Sequence, residues 1–221
     1  MHYNRTIKLI TGIFAISCAM FSCGSRENSE LNTESKPIPL PYLGESEIVG
    51  VDTIYHTVPS YELLAHDSSI FINERVANKI HVVHFFFTSC PSICPAMIEQ
   101  MKRLQENTKD IEEITFLSHT VDPKRDTVPK LQAYINDREL DTRNWFFLYG
   151  EQQYVYELGM DGYLLSAMED EKADGGFLHS EQFVLIDREG HIRGMYVGTD
   201  VAEVDQLEKD IRKLLKEEYA N

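Results

Sequence analysis

Ile80-His81-Val82-Val83-His84-Phe85-Phe86-Phe87-Thr88-Ser89-Cys90-Pro91-Ser92-Ile93-Cys94-Pro95 is the stretch on which the architecture turns. Its first eight residues are an apolar run of strand length, rich in β-branched and aromatic side chains. A continuous run, rather than an alternating one, predicts a central strand covered on both faces. Beyond Pro95 the pattern becomes helical, because Ile93, Met97, Met101 and Leu104 recur at spacings of four, four and three and so share one face. Two cysteines therefore sit where a central strand hands over to a helix. Unpaired N–H groups and a positive dipole end at that point favour a thiolate. Cysteines four apart on a first helical turn share a face, so both sulfurs can meet one object. That object is either each other, in a disulfide, or a metal. Two soft thiolates select a soft ion, Cu(I) before others, whereas a closed zinc site asks for four protein ligands and no second cysteine pair lies nearby. A purely structural pair is the alternative, and the position at an activated turn weighs against it.

Downstream, residues 114–121 read as the next strand. A helix follows, with Thr127 at its cap and Pro129 in its first turn, where a missing N–H costs little. Residues 145–149 read as a strand and 152–158 as a short helix. Residues 183–186 and 192–197 form a hairpin through Asp187-Arg188-Glu189-Gly190. The last helix starts near Asp200, with Glu203 three residues on as in a capping box. Val201, Val204, Leu207, Ile211, Leu214 and Leu215 line its buried face. Upstream, 61–64 and 70–72 are short extra strands around the turn His66-Asp67-Ser68-Ser69. This order predicts one α/β domain with a central mixed sheet flanked by helices and with N-terminal extra strands. A closing antiparallel hairpin plus helix is the thioredoxin-like arrangement.

The chain has 221 residues, 36 Asp+Glu against 21 Lys+Arg, and a net charge of −15. With 43% apolar and 10% aromatic residues it can bury a proper core. The acidity, with no Lys/Arg patch, excludes nucleic acid as the expected partner and favours a soluble monomeric domain. Arg5 and Lys8 are the only charges before Arg26. The apolar stretch after Lys8 is shorter than the ~20 residues that comfortably span a bilayer, so 1–22 reads as a secretory signal. Met20-Phe21-Ser22-Cys23 resembles a lipobox, which makes Cys23 the lipidation site. Cys18 is a competing position and an uncleaved anchor the second reading. Residues 23–45, with Pro37, Pro39 and Pro41, form a flexible membrane tether, and 46–221 the domain. The expected location is extracytoplasmic, on the periplasmic side, as a membrane-anchored lipoprotein.

A third ligand should come from a loop at the mouth of the cysteine turn. Asp174-Gly175-Gly176-Phe177-Leu178-His179-Ser180, just before the strand at 183–186, lies at the right end of the sheet. Periodicity alone does not separate His179 from His119, at the end of the preceding strand. His84, inside a strand, reads as a packed core residue.

Three motifs in order resemble the Sco/SenC copper-binding proteins, thioredoxin-fold assembly factors for cytochrome c oxidase. They are 85–95, Val121-Asp122-Pro123-Lys124-Arg125-Asp126-Thr127, and Leu178-His179-Ser180 followed by 184–190. The resemblance covers about residues 46–200. It implies Cys90 and Cys94 as paired thiolate ligands, His179 as the histidine ligand, and copper, as Cu(I), Cu(II) or both. It also implies a chaperone delivering copper to the CuA-bearing subunit of cytochrome c oxidase or to another copper or thiol protein. One departure stands out: the family often has an acidic residue at the position of Ser92. The alternative is an enzyme, a thiol–disulfide oxidoreductase in which Cys90 and Cys94 form the redox dithiol that reduces partner cysteines.

Overall fold

The computed structural model of the chain describes residues 39–165, 167–169, 177–217 and 219. The expected signal peptide 1–22, the lipidation candidate Cys23 and the tether up to residue 38 lie outside the described residues. In chain order the strands are β1 (Ser46–Val49), β2 (Asp52–Tyr55), β3 (Glu62–Ala65), β4 (Ile70–Ile72), β5 (Ile80–Phe86), β6 (Ile114–Thr120), β7 (Trp145–Tyr149), β8 (Ala167–Glu169), β9 (Phe177–His179), β10 (Gln182–Ile186) and β11 (Ile192–Val197). The helices are α1 (Ile93–Asn107), α2 (Val128–Asp137), α3 (Gln152–Glu157), which runs on into a wider turn at Leu158–Gly162, and α4 (Val201–Glu217).

Seven strands form one mixed sheet in the order β11-β10-β5-β6-β7-β3-β4. β5, β6 and β7 run parallel, while β10, β11, β3 and β4 join antiparallel to their neighbours. Every residue of β5 and of β6 is buried, which is why the β5 sequence does not alternate. The architecture is the thioredoxin-like α/β arrangement with extra N-terminal strands. Buried polar side chains in the sheet are paired where they can be: Ser118 Oγ accepts from Trp145 Nε1 at 2.7 Å and lies 2.6 Å from His84 Nε2. Asp200 caps α4 through the N–H groups of Ala202 and Glu203.

Four details depart from the sequence reading. The hairpins β1–β2 and β8–β9 were not legible as strands. Thr127 occupies the cap position of α2, but its side chain makes no capping hydrogen bond. Val201 is 54% exposed rather than buried, because α4 only begins there and its apolar face packs from Val204 onward.

The two ends of the sheet have different neighbours. Val184 lies opposite Val83 and Ile186 opposite His81, so β10 starts at the end of β5 that leads to Cys90. The Asp187–His191 turn sits at the far end. There the incoming chain docks: Leu43 bridges Ile192, and the Arg193 guanidinium donates to the Leu40 carbonyl at 2.6 Å and the Pro41 carbonyl at 3.1 Å. Arg193 is 1% exposed, pairs with Asp187 at 3.0 Å and lies over the Tyr42 ring at 4.1 Å. At about 3.3 Å per residue, the length of β5 puts the two ends roughly 20 Å apart.

Candidate metal centre

β5 delivers the chain to a turn whose backbone closes by a 3.2 Å hydrogen bond from the Cys90 N–H to the Phe87 carbonyl. α1 starts at Ile93, so Cys94 is its second residue and Cys90 lies in the preceding turn rather than on the helix. Neither cysteine is in a disulfide, and both are buried, at 8% and 1% exposure. Their side chains share a hydrogen bond, so both sulfurs meet one place, by way of the turn and not of a shared helical face. Ser92 Oγ is 3.9 Å from Cys90 Sγ and leaves the helix without a side-chain cap.

The expected thiolate is not what the environment favours at Cys94. Burial pushes its thiol well above the usual range, against the pull of a hydrogen bond with the Phe87 backbone, and the Cys90 sulfur and Asp126 add to the rise. Desolvation of a nearly inaccessible sulfur outweighs the partial charge of a helix end. Cys94 therefore carries its proton until something electrophilic replaces it.

The second sequence motif supplies the scaffold of this turn. Asp126, fully buried, accepts hydrogen bonds from the Thr88 N–H at 2.9 Å, from the Thr88 hydroxyl, and from the Thr120 hydroxyl at 2.6 Å. It thus ties the residue two before Cys90 to the end of β6. Asp122 pairs with Arg125, and burial raises its carboxyl above the ordinary value while Arg125 opposes the rise. The motif was legible in the sequence; the role of Asp126 within it was not.

His179 ends β9, opposite Ala167, rather than lying in a loop. Only Ser180 and Glu181 separate it from β10, so its backbone falls at the cysteine end of the sheet; its imidazole lies outside the described residues. His119 is 0% exposed and packs in an aromatic box, with Phe85, Tyr163 and Tyr61 at ring distances of 5.2, 5.3 and 5.7 Å. Neither of its ring nitrogens has a hydrogen-bond partner among the described residues, and burial drives it down to about 3. His84 is the packed core residue expected of it.

Other clusters are not at the chemistry. Asp187, Glu189 and His191 come together, but Asp187 is committed to Arg193 and to the backbone of its own turn. A groove of about 700 Å³ lined by Lys102, Glu106, Ile111, Asp141 and Arg143 involves the C-terminal half of α1, away from its cysteine end.

A reduced, buried dithiol closing the central strand of such a sheet defines a thioredoxin-like dithiol protein. The SCO1/SenC family model matches residues 52–216. The chain belongs to the SCO1/SenC family. It is 27% identical over 140 residues to a Stutzerimonas stutzeri protein described as copper-binding, covering 62% of this chain and 67% of that one. A SCO1/SenC family lipoprotein from Bacillus anthracis superimposes with a TM-score of 0.68 at 26% identity, over 73% of this chain and 96% of that chain. BsSco, described as a member of the Sco family of cytochrome c oxidase assembly proteins, gives 0.65 at 24% identity, over 73% and 94%.

Proposed function

We propose that this protein is a membrane-tethered copper chaperone that holds its cargo through Cys90, Cys94 and His179 and delivers it to the CuA centre of cytochrome c oxidase. The observation that carries the reading is the pair of thiols whose side chains touch at the strand-to-helix turn. Two adjoining sulfurs suit a soft monovalent ion, and a single imidazole completes a shallow set that exchanges its ion with another Cys/His centre. The S. stutzeri relative described as copper-binding supports the cargo. The assembly role named for BsSco fits the recipient.

The test is an anaerobic Cu(I) titration of the reduced protein beside its His179→Ala variant. A tight one-to-one complex, clearly weakened in the variant, is the expected result. Tight binding indifferent to the substitution moves the third ligand away from His179. No tight binding sinks the chaperone reading.

The burial difference within the pair favours a second activity of the same site. Cys90, the less buried sulfur, attacks a partner disulfide to give a mixed disulfide and release one partner thiolate. Cys94, losing its proton, then attacks Cys90 and releases the second. The partner gains two electrons and this chain ends as a Cys90–Cys94 disulfide. His179→Ala should leave that exchange largely intact.

A further inference from the structure

The β1–β2 hairpin stands outside the seven-stranded sheet, and all eight of its strand residues are exposed. A bare two-stranded ribbon is only marginally stable in water, and this one carries apolar side chains at its tip. Ile48 is 77% exposed, Val49 49%, Val51 99% and Ile54 55%. Val49 pairs with Asp52 and Ile54 with Glu47, which puts Val49 and Ile54 diagonally on one face. Ile48, opposite Thr53, is on the other face. Val51 crowns the two-residue turn beside Gly50, whose φ of +69° supplies the reversal. Apolar groups on both faces and on the crest fit a medium that surrounds the ribbon. A flat protein surface could cover only one side.

The hairpin's position says which medium. Tyr55 stacks on Tyr42 at 4.1 Å, and the His56 N–H donates to the Glu45 carbonyl at 3.0 Å. Its root therefore rests on the incoming segment that Arg193 clamps. It projects beside the point where the chain arrives from its N-terminal apolar stretch, at the end of the sheet opposite the cysteine turn. The inference rests on the reading that this stretch holds the chain at a membrane. From Cys23 to Pro39 the chain can reach at most about 55 Å. The tip is thus confined close to the bilayer, where a weak apolar contact is enough. Residues 39–55 contain Glu45, Glu47 and Asp52 but no Lys or Arg, so the contact is apolar and disfavours anionic headgroups.

We propose that the β1–β2 hairpin inserts tip-first into the lipid interface and so turns the cysteine site away from the bilayer.

The test uses the full-length protein reconstituted into phosphatidylcholine–phosphatidylethanolamine vesicles, with and without bromine on the acyl chains. Its sole tryptophan, Trp145, is fully buried and gives a constant background. Val51→Trp should lose most of its added emission to the brominated bilayer. Glu99→Trp, exposed near the middle of α1, should lose none. Two unquenched probes overturn the proposal. Two quenched probes overturn it in favour of a domain lying flat on the membrane. A Val51→Trp signal that is blue-shifted but unquenched, with cross-linked dimers, assigns the hairpin to a second copy of the chain. Failure of the protein to float with vesicles removes the anchor reading and the proposal together, whereas flotation with an unquenched tip removes the proposal alone.

Discussion

The His119 imidazole sits among Phe85, Tyr61 and Tyr163 with no hydrogen-bond partner for either nitrogen among the described residues, so protonating it places a charge in an apolar box. In the unfolded chain it titrates near 6.5, and in the fold burial lowers it to about 3, with His81 adding a smaller push. His81 itself is lowered to about 4, again mainly by burial. Between these values the unfolded state binds more protons than the folded one. The stability is fully present above about pH 6.5 and drains away as pH falls toward the folded values. Each histidine should cost on the order of 2 kcal/mol between pH 7 and pH 5. Replacing a buried, unpaired polar ring by an apolar side chain of similar bulk is close to neutral or stabilising. His119→Leu should therefore keep or raise stability at pH 7 and remove about 2 kcal/mol of the acid loss down to pH 5. Urea denaturation at the two pH values reads this directly. An unchanged acid loss in the variant would mean that the ring is solvated in the fold.

At the scale of elements, the cysteine turn depends on a clasp between the end of β5, the end of β6 and the segment leading to α2. The Asp126 carboxylate accepts from Thr88, 38 residues away, and from Thr120, 6 residues away. Asp126→Asn turns one acceptor into a donor facing donors, and hydrogen bonds to a charged partner are worth about 1.5–3 kcal/mol. We expect a loss of about 2–3 kcal/mol in denaturant unfolding, and a Cu(I) affinity lowered by about ten- to a hundredfold, as for other groups that orient ligands from behind. Wild-type affinity with reduced stability would make the clasp purely a fold device. The same contact explains what the sequence could and could not say. β5, β6 and β7 were legible as unbroken strand-length runs rich in β-branched and aromatic residues. α1 and α4 were legible because burial of one face writes a helical period into the residues, and the turn at Cys90–Cys94 because one pattern gives way to the other there. Asp126 was opaque because its partners are set by chain reversal, which no period records. β1–β2 was opaque because a ribbon exposed on both faces has no inside to alternate with. β9 fell in the Asp174–Ser180 region read as loop, with β8 just upstream of it, so His179 was put at the correct end of the sheet but on the wrong kind of element.

For the molecule as a whole, the protons on the cysteines couple cargo to pH. Burial keeps Cys94 protonated at neutral pH, so a bound ion must displace that proton before it gains the thiolate. Apparent Cu(I) affinity should then rise by about tenfold per pH unit from pH 6 to pH 8, and by up to about a hundredfold if the Cys90 proton leaves as well. Chelator competition at several pH values, corrected for the chelator's own protonation, measures the slope. Cys94→Ser should lower the slope as well as the affinity. A flat profile in the unsubstituted protein would mean that the ion does not use the Cys94 sulfur. The sign is the same as for the buried histidines: acid loosens the cargo and weakens the fold together. Since a bound ion stabilises the fold by an amount that grows with the logarithm of its affinity, the loaded protein should show the steeper loss of stability on acidification. The difference in pH slope between loaded and empty protein then counts the protons that the cargo displaces, independently of the chelator experiment.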